Sequence, residues 1–279
     1  MKLNLFDNAS LYYTRVKDYL LQHEAQHSLM LGFLNALIYT PERFAHQPYL
    51  AVVEDDGTIT TVALRISPNN LILSRSVNFQ ANTIIAQALH RQRVQIPGVY
   101  GPVDETSSFA LGWQEVSGQS YRVVMQQRIY QLETVQPIPK VNGYFRQATQ
   151  TDRSLLIHWT QGFEEEALGG TSTQDAERFV DGRLRVGSLY IWQDDAPVSM
   201  AGYSGPTPNG IRVNAVYTPP EYRRKGYGTS CVAALSQALL NEGRRYCFLF
   251  ADSANPTSNH IYQTIGYRLV GDATEYCFG

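Results

Sequence analysis

One stretch, residues 211–241, constrains the fold more than any other part of this 279-residue chain. From Ile211 to Tyr217, apolar residues mostly alternate with polar ones, and this period of two predicts a strand. Pro219 and Pro220 then remove two backbone donors, so the strand must end before them. Three cations and two glycines follow, and apolar residues at helical spacing continue to about Asn241. The stretch therefore predicts a strand, a tight basic turn and a helix.

The basic turn has the properties of an anion site. The first N–H groups of a helix lack intrahelical partners, and the helix dipole adds about half a positive charge there. Gly226 and Gly228 have no side chains, so a ligand can approach the backbone closely. Arg223, Arg224 and Lys225 place three positive charges just before the first glycine. We expect the ligand to be a phosphate or pyrophosphate.

The spacing of the glycines distinguishes between known phosphate-binding turns. No glycine precedes Gly226 at the distance that a P-loop requires, and Cys231 stands where the dinucleotide fingerprint needs its third glycine. What remains is Arg223-x-x-Gly226-x-Gly228, placed directly after Val216-Tyr217-Thr218-Pro219-Pro220. This combination resembles the acetyl-CoA pyrophosphate loop of the GNAT superfamily of N-acetyltransferases. The alternative is an ordinary strand–helix turn with a solvated basic rim.

A second segment extends the resemblance, which covers about residues 143–279. Asn255 and Asn259, followed by Tyr262 and by Ile265-Gly266-Tyr267, resemble the GNAT segment that follows the strand splaying from the sheet centre. The resemblance implies an enzyme that transfers an acetyl group from acetyl-CoA to a primary amine of a small molecule or peptide. It further implies direct attack by the amine in a ternary complex, with no metal.

The resemblance also implies roles for individual residues. Backbone groups of Val216 and Thr218 would hold the pantetheine arm like an added strand. Tyr262 would be the general acid, because a phenol with a pKa of about 10 can protonate a departing thiolate; a buried, hydrogen-bonded tyrosine is the alternative. The implied cofactor-binding residues are Val216, Tyr217, Thr218, Arg223, Arg224, Lys225, Gly226, Tyr227, Gly228, Thr229, Asn255 and Asn259.

The general base is left open by the sequence. The predicted central strand offers Arg212 and Asn214 but no acid. The acids Glu164–Glu166 could reach the cleft or form a solvated face, and Asp252 could act as a base or cap a helix. A third possibility is that a chain of water molecules acts as the base, with no dedicated residue. We expect the nearby histidines to be structural or solvated, namely His158 and His260.

The two halves of the chain share an order of parts. In each, two helices precede three strands joined by an acidic turn and a Pro-Asn turn, and residues 49–76 align in this way with 189–216. Residues 77–82, which follow the aligned segment in the first half, contain no glycine and no cation cluster, so this half lacks the phosphate cradle. We expect this half to provide packing and to shape a substrate cleft. Two unrelated mixed domains are the alternative.

These features predict an α+β fold with a mixed sheet, and the resemblance implies a GNAT-like fold in two tandem halves of which only the second carries the acetyl-CoA motif. We expect a degenerate N-terminal domain at residues 1–133 and a catalytic domain at residues 143–279. Residues 134–142, which include Pro137 and Pro139, are predicted to be the linker between them.

Composition excludes several other classes of protein. A net charge of −2 disfavours nucleic acid or an anionic membrane as a partner. The 3 cysteines include no C-x-x-C pair, and their odd number disfavours a disulfide framework; Cys231 is expected in the core. With no leader pattern and no long apolar run, we expect a soluble cytoplasmic protein, with a homo-oligomer left open. Two alternative functions remain: transfer of another acyl group or an amino-acid conjugate, and CoA sensing without turnover.

Overall fold

Two compact units make up the chain, which the computed structural model describes from residue 1 to 279 apart from the side chain of Leu168. The first unit contains Met1–Ile129, Gly205–Thr207 and Val270–Gly279. The second contains Tyr130–Ser204 and Pro208–Leu269. Each unit therefore includes residues from both sequence halves, and the predicted functional division at residues 134–142 stays a prediction.

Twelve strands and eight helices lie in the described residues. The strands are β1 (Lys2–Phe6), β2 (Tyr49–Asp55), β3 (Thr58–Arg65), β4 (Leu71–Leu73), β5 (Gly98–Pro102), β6 (Tyr121–Leu132), β7 (Tyr144–Gln147), β8 (Leu189–Gln193), β9 (Pro197–Ser204), β10 (Gly210–Tyr217), β11 (Tyr246–Asp252) and β12 (Arg268–Phe278). The helices are α1 (Ala9–Leu21), α2 (Ser28–Tyr39), α3 (Gln80–Arg91), α4 (Val103–Ser117), α5 (Arg153–Leu168), α6 (Thr173–Arg185), α7 (Tyr227–Asn241) and α8 (Pro256–Ile265).

The sheet of the first unit has the strand order β1-β2-β3-β4-β5-β12. All of these neighbours pair antiparallel except β4 and β5, which are parallel. Apolar residues of α3 and α4 pack against this sheet and form its core, together with Phe278 near the chain end. The final strand, β12, continues to Phe278, and its residues Ala273–Cys277 pair with β5.

The sheet of the second unit has the strand order β11-β10-β9-β8-β7, and residues 130–132, at the end of β6, belong to the same unit. β10 and β11 are parallel, whereas β10, β9, β8 and β7 pair antiparallel in turn. Residues of α7 and α8 form one core with this sheet, and residues of α5 and α6 form another. The strand, turn and helix predicted from residues 211–241 are present as β10, the turn and α7.

Candidate functional site

The central strands of the second unit separate at one end. Within the described residues, β10 and β11 pair only from Gly210–Tyr246 to Arg212–Phe248, although β10 continues to Tyr217 and β11 to Asp252. The ends of two parallel strands therefore diverge and leave backbone edges open between them. An open edge can accept an extended, amide-rich ligand as an added strand.

A β-bulge changes the direction of β10 beside this opening. Asn214 lies opposite Gly202 and Tyr217 opposite Met200, so β10 has one more residue than β9 in this interval. Ala215 takes a φ of 50°, in the left-handed region that non-glycine residues rarely adopt. Val213 packs in the α7/α8 core and Ala215 in the α5/α6 core, so the bulge reverses the face that the strand presents.

The turn after β10 leads directly into the start of α7. Arg224 has a φ of 61° and Gly226 a φ of 82°, and α7 begins at Tyr227. Gly226 occupies the N-cap position, and no described side chain caps the helix there. The N–H groups of the first helical turn therefore have neither an intrahelical nor a side-chain partner. The side chains of Arg223, Arg224 and Lys225 are exposed beside them.

Several contacts hold the turn in place. Arg223 donates from Nε to the Thr218 carbonyl at 2.8 Å, and its guanidinium pairs with both carboxylate oxygens of Glu166 at 2.7 and 2.8 Å. The Tyr227 hydroxyl donates to Asp194 at 2.7 Å. Arg223 is thus already engaged by an acid of α5, whereas Arg224 and Lys225 are exposed on the same turn, with Nζ of Lys225 5.7 Å from the centroid of the Tyr222 ring.

The two glycines of the turn are closely packed. A Cβ on Gly226 would lie 2.8 Å from Cγ1 of Val141, and one on Gly228 would lie 3.0 Å from Oγ1 of Thr218. Thr218 is itself fixed by the buried hydroxyl of Ser199, at 2.9 Å. Side chains at these positions would displace neighbours, so close packing as well as ligand access accounts for both glycines.

The two asparagines of α8 have structural hydrogen bonds. Asn255 is the N-cap of α8, and its side chain accepts the Ser258 N–H at 3.0 Å. Asn259 is only 5% exposed, and its Nδ2 donates to the Asp252 and Asn255 carbonyls at 2.8 and 2.7 Å. Its Oδ1 accepts the Tyr130 hydroxyl at 2.8 Å. The Asn259 side chain therefore fixes the turn between β11 and α8.

Tyr262 lies in the same core as α7, with 8% of its surface exposed. Its ring centroid is 6.2 Å from that of Tyr130 and 6.1 Å from that of Tyr267. Desolvation by burial, with a smaller contribution from Tyr130, raises the pKa of Tyr262 to about 12. The phenol is therefore protonated at neutral pH and can donate a proton.

The residues considered for the general base differ in their surroundings. Glu164 is half-buried, and desolvation raises the pKa of its carboxyl group. Glu166 is occupied by its ion pair with the basic turn, and Asp252 accepts the backbone N–H of residue 254 at 2.8 Å. The two histidines are exposed, His158 on α5 and His260 on α8. A raised pKa makes a carboxylate a stronger base, so Glu164 is a candidate general base.

Cys231 is fully buried, as expected from the sequence. Burial raises the pKa of its thiol to about 12, so it is not a thiolate at neutral pH. In the part of the chain that the structure describes, no group of three or more His, Cys, Asp or Glu side chains could hold a metal ion. Nor does any described helix combine the length and apolarity needed to cross a membrane.

Three residues that contact the site carried no signal in the sequence. Tyr130 comes from the end of β6, Val141 from the predicted linker and Ser199 from β9. Each is remote in sequence from the residue that it contacts, and none belongs to a motif. A pattern read along the chain could not have found them.

Comparison with known proteins identifies the fold. Residues 196–277 match the family model described as FR47-like protein. A GNAT-family acetyltransferase from Colwellia psychrerythraea aligns over 100% of both chains, with 10% identity and a TM-score of 0.59. A tandem GNAT protein from the clavulanic acid biosynthesis pathway covers 100% of this chain and 98% of its own, with 12% identity and a TM-score of 0.56.

A GCN5-related N-acetyltransferase from Kribbella flavida covers 90% of this chain and 94% of its own, with 14% identity and a TM-score of 0.56. No curated protein matches the sequence significantly. At these identities the structural neighbours establish the fold. The chain therefore has the GNAT fold over its full length, with an FR47-like segment at residues 196–277, and the GNAT-like fold predicted from its sequence is confirmed.

Proposed function

We propose that this protein is an N-acetyltransferase that transfers an acetyl group from acetyl-CoA to a primary amine of a small molecule or peptide. The observation that carries this proposal is the divergence of β10 and β11 beside an uncapped glycine turn. An open strand edge suits the amide-rich pantetheine arm, and unpartnered N–H groups at a helix start suit a pyrophosphate. Both features lie at the same end of β10.

The donor would be held by backbone and by charge. N–H groups of Tyr227, Gly228 and Thr229 would contact the pyrophosphate, with Arg224 and Lys225 supplying positive charge. Arg223 would act mainly through the shape of the turn, because its guanidinium is paired with an acid of α5 and its Nε is bonded within the turn. Electrostatic attraction from the exposed cations would also accelerate encounter with the anionic donor.

The pantetheine arm would pair with the bulged end of β10, through backbone groups of Val216 and Thr218. Tyr217 would contribute its backbone to the same segment, since its ring packs in the α5/α6 core. Asn255 and Asn259 would act on the donor by fixing the start of α8, because their side chains are hydrogen-bonded within the protein.

The chemistry requires a neutral amine and a stabilised leaving thiolate. Tyr262 would donate its proton to the sulfur as the C–S bond breaks, while Glu164 would accept the proton of the attacking amine. A phenol with a pKa of about 12 donates uphill to an ordinary thiolate, whose conjugate acid has a pKa near 8.5. The same apolar surroundings would raise the pKa of a thiol bound beside Tyr262 and reduce this difference.

A CoA-binding sensor without turnover is the second candidate. The burial of Tyr262 and the raised pKa of its phenol favour it, since both oppose proton transfer. Transfer of a different acyl group is a variant of the first candidate, which the same assay can detect by changing the donor.

The test combines acetyl-CoA binding by calorimetry with thiol release on a panel of amines. Gly226→Asp should weaken binding by about 10²-fold or more, because a carboxylate would face two phosphate charges. Gly243→Asp is the matched control: its φ is 94°, no atom lies within 4 Å of its Cβ position, and it follows the other end of α7. Equal affinity of both variants and the wild type would refute the turn as the donor site. Binding without thiol release on any amine, with any acyl-CoA, would favour the sensor.

A further inference from the structure

Tyr130 is a buried residue of the second unit that the predicted catalytic segment does not include. It lies near the end of β6 with 0% of its surface exposed, before the predicted linker at residues 134–142. Its ring is tilted by 56° against that of Tyr262, at a centroid distance of 6.2 Å. Its hydroxyl donates a hydrogen bond to Oδ1 of a different residue, Asn259, at 2.8 Å.

The direction of the hydrogen bonds around Asn259 is determined by its partners. The two carbonyls that it contacts, of Asp252 and Asn255, can only accept, so the Nδ2 group must face them. Oδ1 must then accept, and the Tyr130 hydroxyl is positioned to donate to it. The phenol therefore completes a chain of hydrogen bonds that begins in β6 and ends at the backbone of the turn before α8.

Loss of that hydroxyl would leave a buried acceptor without its donor. Asn259 is 5% exposed, so Oδ1 has little access to water in its place. The amide would then rotate or shift toward water, which would loosen its hold on the two carbonyls of the turn. α8 starts at this turn and carries Tyr262, so the orientation of that phenol depends on it.

On these contacts we propose that Tyr130 is a positioning residue for Tyr262, acting through Asn259 and through direct packing of the two rings. The inference rests on the proposed function, since it concerns the alignment of the general acid. It also gives the first half of the sequence a specific part in the reaction, because that half supplies the strand residue that fixes α8. A catalytic segment that begins at residue 143 would lack this residue.

The test compares Tyr130→Phe with Tyr267→Phe. Tyr267 is an equivalent control, since it is 2% exposed, its ring lies 6.1 Å from that of Tyr262, and its hydroxyl has one buried partner, Ser236, at 2.8 Å. Both variants keep the ring and lose one buried hydrogen bond, so thermal unfolding should show similar, moderate losses. Only the first should lower kcat, by about 10- to 100-fold, with the KM for acetyl-CoA within about 2-fold.

Two further readouts separate positioning from general destabilisation. In Asn259→Ala the connection is already broken, so adding Tyr130→Phe should lower kcat by less than it does in the wild type. The pH limb due to Tyr262 should also move to lower pH in Tyr130→Phe, because a neighbouring phenol that raises its pKa is removed. Equal kcat for the two Tyr→Phe variants, or fully additive losses with Asn259→Ala, would overturn the proposal.

Hydrogen exchange provides a readout that does not need turnover. The amides of residues 254, 255 and 257–259 should exchange faster in Tyr130→Phe than in Tyr267→Phe, because only the first variant loosens the start of α8. If the wild type released no thiol, the proposed function would fail, whereas the exchange result would still decide the Tyr130–Asn259 connection. Equal exchange rates in the two variants would refute the Tyr130–Asn259 connection.

Discussion

Gly226→Ala tests the basic turn with a single added methyl group. The position has a φ of 82°, and a non-glycine residue in this region costs about 1–2 kcal/mol. The new Cβ would also lie 2.8 Å from Cγ1 of Val141, well inside the separation of about 3.5–4.0 Å at which carbon atoms attract. Relieving such a contact by shifting the neighbour or the turn costs a further 1–3 kcal/mol or so. We therefore expect a total loss of about 2–5 kcal/mol in the free energy of unfolding.

Gly243→Ala separates the cost of the backbone conformation from the cost of the contact with Val141. Gly243 has a φ of 94°, but nothing lies within 4 Å of its Cβ position, so its substitution should cost only the backbone part, about 1–2 kcal/mol. Adding Val141→Ala to Gly226→Ala should recover the contact part, corrected for the effect of Val141→Ala alone, and leave the backbone part.

Urea unfolding and calorimetric titration with acetyl-CoA measure these effects on the same samples. Gly226→Ala should weaken acetyl-CoA binding, and Gly243→Ala should leave it unchanged. The affinity of the Gly226→Ala/Val141→Ala double variant for acetyl-CoA should lie between those of the two single glycine variants. If both single variants lost the same stability and bound acetyl-CoA like the wild type, the packing of the turn against Val141 would have no effect on the site.

Two other predictions concern titration and catalysis. His27 is fully buried, with Nδ1 against the Leu20 carbonyl and Nε2 accepting the Arg75 N–H, and burial lowers its pKa to about 4. Because the unfolded pKa is near 6.5, the contribution of His27 to stability should be constant above that pH and fall by about 3 kcal/mol as the pH drops from 6.5 to 4. Unfolding at a series of pH values measures this loss, and a flat profile in this range would contradict the assignment. Tyr262→Phe should lower turnover by about 10²–10⁴ with little change in acetyl-CoA affinity, and steady-state kinetics showing normal turnover would exclude it as the acid.

The strand, turn and helix of the site could be predicted because their signals are local. Two prolines end β10, and glycines and cations mark the turn, within a single stretch of chain. The bulge in β10 could not be predicted, since an alanine with a φ of 50° is favoured only by its packing against other elements. The same limit applies to the contacts of Arg223 with Glu166 and of Tyr130 with Asn259, which join distant parts of the sequence.

The role of Asn259 shows what a resemblance can and cannot supply. The motif identified a residue at the start of α8 that matters to the site, and the structure gives its three hydrogen bonds to partners within the protein. The identity of those partners depends on the fold around α8. Similarly, the length of β12 depends on the strand beside it, because Ala273–Cys277 pair with β5. Periodicity along one segment does not specify its neighbours in a sheet.

The segment before β7 has a consequence for any attempt to separate the halves of this protein. Its Gln136 N–H donates to the Ile265 carbonyl at the end of α8, Val141 lies against Gly226 at the start of α7, and the Asn142 carbonyl accepts the Trp192 indole N–H. Proteolysis, circular permutation or a spacer inserted here would disturb two helix ends at once. The stretch that looks most dispensable to a protein engineer is therefore a poor place to cut the chain.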